Sequence, residues 1–191
     1  MRILACSSPD WVPFAEARAL QRNFPSAAEL RERSTSIPLG VTGPISGWNT
    51  LFLFDYQVFP ESILQFDAEW RHAGRAMAVG DIIVQRALFP PIGRGICLQF
   101  AVRVTRLIHE DHRLGFAYET LAGHAESGVS EFFFEERATG LHFTIHTRSR
   151  PAHWGSRLVR HVFTDPYQAW CTRNALANVR RTFDEANATR V

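Results

Sequence analysis

The chain has 191 residues, 46% of them hydrophobic, and a net charge of +2, a composition typical of a one-domain globular protein. It contains no lysine, so all 21 basic residues are arginine. This excludes a Schiff-base lysine and a lysine-dependent phosphate loop. No basic stripe with interleaved aromatic residues is present, so the sequence predicts no nucleic-acid binding.

The three cysteines, Cys6, Cys97 and Cys171, are widely spaced and form no C-x-x-C pair. This pattern indicates neither a zinc knuckle nor a redox pair. An odd number of cysteines without a signal peptide predicts a cytoplasmic protein, and we expect Cys97 and Cys171 to be buried, unreactive thiols. No apolar run is long enough to span a membrane, so stable membrane insertion is not expected.

The first 47 residues carry helical and loop patterns and are predicted to form an N-terminal extension of the main domain. A capping residue followed by proline predicts a short helix over 10–22. Capping-box spacing predicts a second helix over 26–33. Residues 37–47, rich in glycine and proline, are predicted to form a loop.

From residue 48 onward apolar and polar residues alternate, as they do in strands with one buried face. The first strand is predicted around Phe52, Phe54 and Tyr56, and a helix is predicted to start at Pro60. Further strands are predicted at 81–88, 95–108, 113–121, 128–136 and 141–150. Because only short turns separate them, neighbouring strands are expected to run antiparallel.

A long C-terminal helix over 156–185 is predicted to cover this sheet, because its apolar residues recur at helical spacing. Each strand has one apolar and one polar face, as in a sheet covered on one side only. The sequence therefore predicts an α+β fold in which a curved antiparallel sheet of about six to seven strands wraps around the helix. We assign residues 48–191 to this domain.

Two segments carry a family resemblance: residues 115–128, beginning Gly115-Phe116-Ala117-Tyr118, and residues 149–154, beginning Ser149-Arg150-Pro151. They resemble uncharacterised protein family 0548, a domain of unknown function found in bacteria and plants. That family is similar to the helix-grip superfamily of START and polyketide-cyclase-like proteins. The resemblance implies that this chain holds a small lipophilic molecule between sheet and helix, and it implies no reaction.

We predict that the ligand contacts aromatic residues on the concave face of the sheet, with two arginines at the end of the last strand. The predicted ligand-binding residues are Phe52, Phe54, Phe100, Tyr118, Phe132, Phe143, Arg148 and Arg150. An arginine fork is suited to a ligand carboxylate or phosphate. Alternatively, the arginines pair with a carboxylate such as Glu119 or Glu126 and brace the junction of strand and helix.

Tyr118 and His124 are the candidate catalytic residues, because a tyrosine and a histidine at a cavity mouth can polarise a carbonyl or move a proton. Alternatively, His124 only shapes the turn. No cofactor or metal site is predicted. His142 and His146 are about 13 Å apart along one strand, too far for one ion, and the acidic turn at 109–112 is expected to be solvated.

Three hypotheses follow for the function. The first is a binding protein for a small hydrophobic or amphipathic molecule. The second is an enzyme of cyclase, dehydratase or hydrolase type that uses Tyr118 and His124 in the same cavity. The third is a structural or partner-binding module whose interior is filled by its own aromatic side chains. The volume of the cavity separates the third hypothesis from the other two, because ligand sites usually enclose about 300 Å³ or more.

Overall fold

The computed structural model describes residues 2–5, 10–24, 30–89, 96–151 and 165–188. Their strands are β1 (Arg2–Ala5), β2 (Arg31–Pro38), β3 (Leu64–Ala68), β4 (Ile82–Phe89), β5 (Ile96–Glu110), β6 (Arg113–Thr120), β7 (Glu126–Arg137) and β8 (Gly140–Pro151). Their α-helices are α1 (Phe14–Arg18), α2 (Glu69–His72) and α3 (Asp165–Ala186). Short 3₁₀ helices lie at Ile45–Gly47 and Leu51–Leu53.

All strands of the described residues join one antiparallel sheet. Seven of them follow the order β2-β8-β7-β6-β5-β4-β3, and β1 pairs with the start of β5, beyond the end of β6. The predicted α+β fold, a curved antiparallel sheet with a C-terminal helix, is confirmed. The predicted antiparallel pairing of consecutive strands is confirmed from β3 to β8.

The concave face of the sheet and helix α3 enclose the main core. Alternate residues of the strands are buried there, as the side-chain period of a strand requires. From the helix, Leu176, Val179 and Phe183 reach this core and are at most 4% exposed. Phe183 also packs against the rings of Trp48 and Phe134, with ring centroids 5.8 and 6.0 Å apart. Burial of each such side chain contributes about 1.5–3 kcal/mol.

Two glycines permit a close approach of neighbouring strands. A Cβ atom on Gly115 in β6 would lie 2.0 Å from the carbonyl oxygen of Phe132, and one on Gly128 in β7 would lie 2.1 Å from that of Arg148. A bulge in β5 lies between Val104 and Arg106, where the register with β6 shifts. Because bulges bend and twist a strand, these three places favour a strongly curved sheet.

The segment after residue 48 differs from its prediction. Residues 52–56 form a 3₁₀ turn and a loop rather than a strand, and the predicted helix after Pro60 is replaced by β3 and the short α2. Tyr56 has a φ of 60° and is fully buried. The pairing of β3 with β4 and the burial of this tyrosine therefore outweigh the local patterns, which burial commonly does.

The N-terminal residues contribute strands to the sheet as well as a helix. Residues 31–33, predicted to end a helix, begin β2, which pairs with β8 along its whole length. Residues 26–29 of that predicted helix lie outside the described residues, as do residues 156–164 of the predicted C-terminal helix.

Helix α1 covers part of the convex face. Its Ala17 packs with Ile82, Val84 and Ala101 in a second apolar cluster. The expectation of a sheet covered on one side only is therefore wrong at β4 and β5. Arg86 of β4 fixes the chain entering α1, because it lies over the Trp11 ring at 4.2 Å and donates a 2.8 Å hydrogen bond to the carbonyl of Asp10.

Among the described residues, no helix is both long and apolar enough to cross a membrane. Cys97 is buried and disulfide-bonded, and Cys171 is free and half-buried. The expectation of a free thiol is therefore wrong for Cys97.

We expect Gly128→Ala to lower the free energy of unfolding by about 3 kcal/mol, because its Cβ would overlap backbone atoms of β8 that cannot move away freely. Chemical denaturation measures this change. Gly47→Ala is the matched control, since a Cβ there meets nothing within 4 Å. Equal stability of the two variants would contradict the close approach of β7 and β8.

Candidate functional site

A cavity of about 150 Å³ lies between the concave face of the sheet and the first turns of α3. Its apolar lining consists of Phe59, Ile63, Leu64, Ala87, Phe100, Phe132 and Ile145. Its polar lining consists of Gln85, Tyr118, His124, Glu126, Ser130, Thr147, Tyr167, Gln168 and Thr172, with the thiol of Cys171. The volume is about half of the lower limit for drug-sized ligand sites, which enclose about 300–1,000 Å³, and it is close to that of an engineered cavity that binds benzene.

A chain of buried polar groups enters the cavity from the sheet. The side-chain amide of Gln85 donates to the hydroxyl of Tyr56 at 2.5 Å, and Tyr56 is hydrogen-bonded in turn to Tyr118. Ser130 on the neighbouring strand completes the chain at Tyr118. Burial raises the pKa of both tyrosines above the ordinary value, so both stay protonated at neutral pH.

Tyr56 fixes the position of this chain. Its ring contacts those of Phe66, Phe116 and Tyr118, with centroids 5.0, 5.9 and 6.3 Å apart. The positive φ of Tyr56 costs about 1–3 kcal/mol in a residue other than glycine, and the packing of its ring offsets this cost. The strained turn thus directs the tyrosine hydroxyl at Gln85.

His124 lies in the turn between β6 and β7 and is 8% exposed. Its Nδ1 accepts a 3.0 Å hydrogen bond from the backbone N–H of Glu126. Nδ1 also lies 3.1 Å from the carbonyl oxygen of Glu126. The backbone N–H can only donate, so Nδ1 must accept from it, whereas the carbonyl already accepts a 2.7 Å bond from Asn23. This assigns the neutral tautomer with the proton on Nε2. Burial lowers the pKa of His124 to about 3.

Asn23 holds the β6–β7 turn in place. Its amide donates to the Glu126 carbonyl, and its Oδ1 accepts a 2.6 Å bond from Thr120. The Thr120 hydroxyl also accepts from the N–H of Gly128 at 2.9 Å, which joins both sides of the turn. Asn23 is therefore a positioning residue for His124.

Glu126 links the sheet to α3 across the cavity mouth, because its carboxylate accepts a hydrogen bond from Gln168. One turn further along the helix, burial raises the pKa of the Cys171 thiol, and the charge of Glu126 adds to this effect. The thiol is thus protonated and weakly nucleophilic at neutral pH.

The structure brings four of the predicted site residues to this cavity: Phe100, Tyr118, His124 and Phe132. The Phe100 ring lies edge-on to the imidazole of His124, with centroids 4.2 Å apart. In the described part of the chain, no hydrogen bond joins Tyr118 to His124. The ligand contacts and catalytic roles of these residues stay predictions.

The other predicted site residues lie elsewhere. Phe52 and Phe143 both pack against Phe134 in the core, with ring centroids 5.9 and 5.2 Å apart. Phe54 is half-buried and stacks on His109 at 5.7 Å.

The two arginines of β8 lie on its outer face. Strand alternation places Arg148 and Arg150 opposite the inward-facing Ile145 and Thr147. Arg148 is exposed and Arg150 is half-buried. The alternative pairing with Glu119 is wrong, because this carboxylate pairs with Arg103 at 3.3 Å.

Two of the histidines that were considered as metal ligands each pair with a different acidic residue. His112 pairs with Glu136 at 2.9 Å, and His146 pairs with Glu32 at 2.9 Å. Within the ranges that the structure describes, no three His, Cys, Asp or Glu side chains are placed to hold a metal ion.

Gln85, Ser130, Gln168 and Asn23 were not predicted to take part in the site. Gln85 follows Ile82-Ile83-Val84, and a polar residue at an inward position of such a strand indicates a buried polar group. Ser130 lies two residues before Phe132 and therefore on the same face of the strand, where a polar residue is a weaker indication of a buried polar group. No sequence signal marks Asn23, because its partners are about 100 residues away.

The model of the family described as "Domain of unknown function (DUF1990)" matches residues 14–178. The chain belongs to this family. The match covers every strand from β2 to β8 and α3 up to Asn178, so it includes the whole cavity lining. No protein of curated function matches the chain.

Several solved structures have a similar fold, and two of them illustrate the similarity. Major latex-like protein 151 from Panax ginseng aligns with a TM-score of 0.53 at 10% identity, covering 82% of this chain and 99% of that one. A putative uncharacterized protein from Rhizobium leguminosarum aligns with a TM-score of 0.50 at 10% identity, covering 82% of this chain and 97% of that one. These similarities support the helix-grip fold of this DUF1990 member.

We expect His124 to make the DUF1990 domain less stable in acid. Its pKa is about 3 when folded and 6.5 in its ordinary state, so between these values only the unfolded chain gains the proton. Above pH 6.5 the protonation of His124 does not affect the free energy of unfolding. Below pH 6.5 it lowers the free energy of unfolding by about 1.4 kcal/mol per pH unit, down to pH 3. In urea denaturation, wild type should lose about 1 kcal/mol more than His124→Asn between pH 7 and pH 5.5.

The control for this measurement is His109→Asn, which makes the same substitution at an exposed position outside the cavity lining. Identical pH dependence in wild type and His124→Asn would show that the buried imidazole does not titrate as described.

Proposed function

We propose that the protein binds a compact hydrophobic or amphipathic small molecule, about the size of one ring, in the cavity beneath α3. The observation that carries this proposal is an apolar space of about 150 Å³ into which several polar side chains point. A domain that only needs a filled core gains nothing from such a space, because each missing contact lowers stability. The fold shared with the latex-like protein is consistent with a ligand site.

The volume also limits the ligand. The rest of the concave face is filled by its own aromatic side chains, among them Phe116, Phe134 and Phe143, each at most 1% exposed. The filled-interior hypothesis therefore describes most of the core, and the binding hypothesis applies to the part beside α3. A long lipid chain does not fit 150 Å³, whereas a benzene-sized group does.

Catalysis by Tyr118 and His124 is the weaker hypothesis, although both side chains line the same cavity. Efficient general acid–base groups have pKa values near the working pH. Burial lowers the pKa of His124 to about 3 and raises that of Tyr118, so both are poorly matched to proton transfer at neutral pH. Both are well suited to donating hydrogen bonds while remaining neutral.

Two further proposals rest on the sequence. The segments at 115–128 and 149–154 support the finer designation as uncharacterised protein family 0548. The odd number of cysteines supports a cytoplasmic location, although the disulfide at Cys97 argues against a fully reducing environment.

We expect Ala87→Leu to reduce the affinity for toluene at least tenfold, because the added carbons point from β4 into the cavity. Ile145→Ala should have the opposite effect, since it enlarges the same space. Titration calorimetry and NMR chemical-shift changes measure both. Val79→Leu is the control, because this exposed side chain lies outside the cavity lining and should leave the affinity unchanged. If toluene does not bind to wild type, the proposed ligand site is wrong.

A further inference from the structure

The cavity presents a fixed hydrogen-bond donor at His124. Because Nδ1 accepts the N–H of Glu126, the proton of the neutral ring is on Nε2. Nε2 has no hydrogen-bond partner among the described residues, although the side chain is more than nine-tenths buried and lines the cavity. This nitrogen is therefore available to donate a hydrogen bond to an acceptor that occupies the cavity.

A second donor reaches the cavity through the tyrosine chain. The amide of Gln85 donates to the Tyr56 oxygen, so the Tyr56 proton points onward to Tyr118. Tyr118 then directs its own proton toward Ser130 or the cavity, and both residues line that cavity. Whichever of these two hydroxyls is last in the chain, its hydrogen is available to an occupant. The direction of donation along these hydrogen bonds is fixed at Gln85, because an amide N–H can donate a hydrogen bond but cannot accept one.

The charges around the cavity favour a neutral occupant. Glu126 at the mouth carries a carboxylate whose field raises the pKa of Cys171. No arginine lines the cavity in the described part of the chain, and Arg103, Arg148 and Arg150 lie on the outer face of the sheet. Among the described residues that line the cavity, the charged group is the Glu126 carboxylate, so a ligand anion would meet a like charge there, which is unfavourable.

We propose that the cavity selects a neutral single-ring ligand by its carbonyl oxygen, which accepts hydrogen bonds from His124 Nε2 and from the Tyr118–Ser130 hydroxyls. This inference rests on the proposed function and specifies its ligand class. A carbonyl fits because its oxygen has two lone pairs and can accept from two donors at once. The ring occupies the apolar part of the cavity, between Phe100, Phe132 and Ile145.

The test compares two ligands of nearly equal shape, cyclohexanone and methylenecyclohexane, by calorimetric titration of the full chain. In a cavity without donors the ketone binds more weakly, because its oxygen loses its hydrogen bonds to water. We expect wild type to bind the ketone at least as tightly as the alkene. Tyr118→Phe and His124→Phe should each shift the ratio of the two affinities toward the alkene by about fivefold to tenfold.

Two variants are used because His124→Phe also removes the partner of the Glu126 N–H and can fail to fold, whereas Tyr118→Phe keeps the ring in place. His109→Phe is the control, since this exposed side chain lies outside the cavity lining and should leave the ratio unchanged. A second pair, benzamide and benzoate, tests the charge. We expect benzamide to bind at least tenfold more tightly.

The outcomes separate this inference from the proposed function. If wild type binds methylenecyclohexane much more tightly than the ketone, or if the Tyr118→Phe ratio equals that of wild type, the cavity binds apolar rings and the carbonyl proposal is wrong. If benzoate binds as tightly as benzamide, the preference for neutral ligands is wrong. If no member of either pair binds, the proposed ligand site itself is overturned.

Discussion

The close contact between backbones at Gly115 and Gly128 is the constraint on which this fold depends. At both positions the neighbouring strand lies where any other residue would place its Cβ atom, so β6, β7 and β8 approach one another more closely than side chains allow. Together with the bulge in β5, this contact gives the sheet the curvature that encloses a core. The concave face can then carry many aromatic residues and still leave a small space beneath α3.

Much of this fold could be predicted from the sequence, because alternation and turn length are local signals. Strands β4 to β8 and the burial of Phe100, Phe116 and Phe132 on one face follow from period two alone. The errors lie where distant contacts decide the local structure. Residues 52–56 have strand-like alternation, but the fully buried ring of Tyr56 is packed only in a turn with positive φ. The β3 and β2 segments become strands because β4 and β8 offer them free edges.

The candidate site was less predictable, and the reason is physical. The choice of the concave face identified Phe100, Tyr118 and Phe132, because one face carries all three. Counting aromatic residues cannot distinguish those that fill the core from those that line the space, since this depends on how α3 packs. Phe143 illustrates the first kind, and Phe132 the second. The hydrogen bonds that fix the turn carrying His124 were not predictable either, since Asn23, which donates to the Glu126 carbonyl, lies about 100 residues away in the sequence.

The hold of Asn23 on the β6–β7 turn makes the beginning of the chain part of the cavity wall. The wall beside His124 is built by residues that precede the first long strand, and these are continuous with the helix packed on the outer face of the sheet. The inner and outer surfaces are therefore connected through residues 21–23, which bond to the turn by backbone and side-chain hydrogen bonds. A change that displaces the amino-terminal segment from the convex face of the sheet is therefore expected to loosen the cavity wall on the concave face.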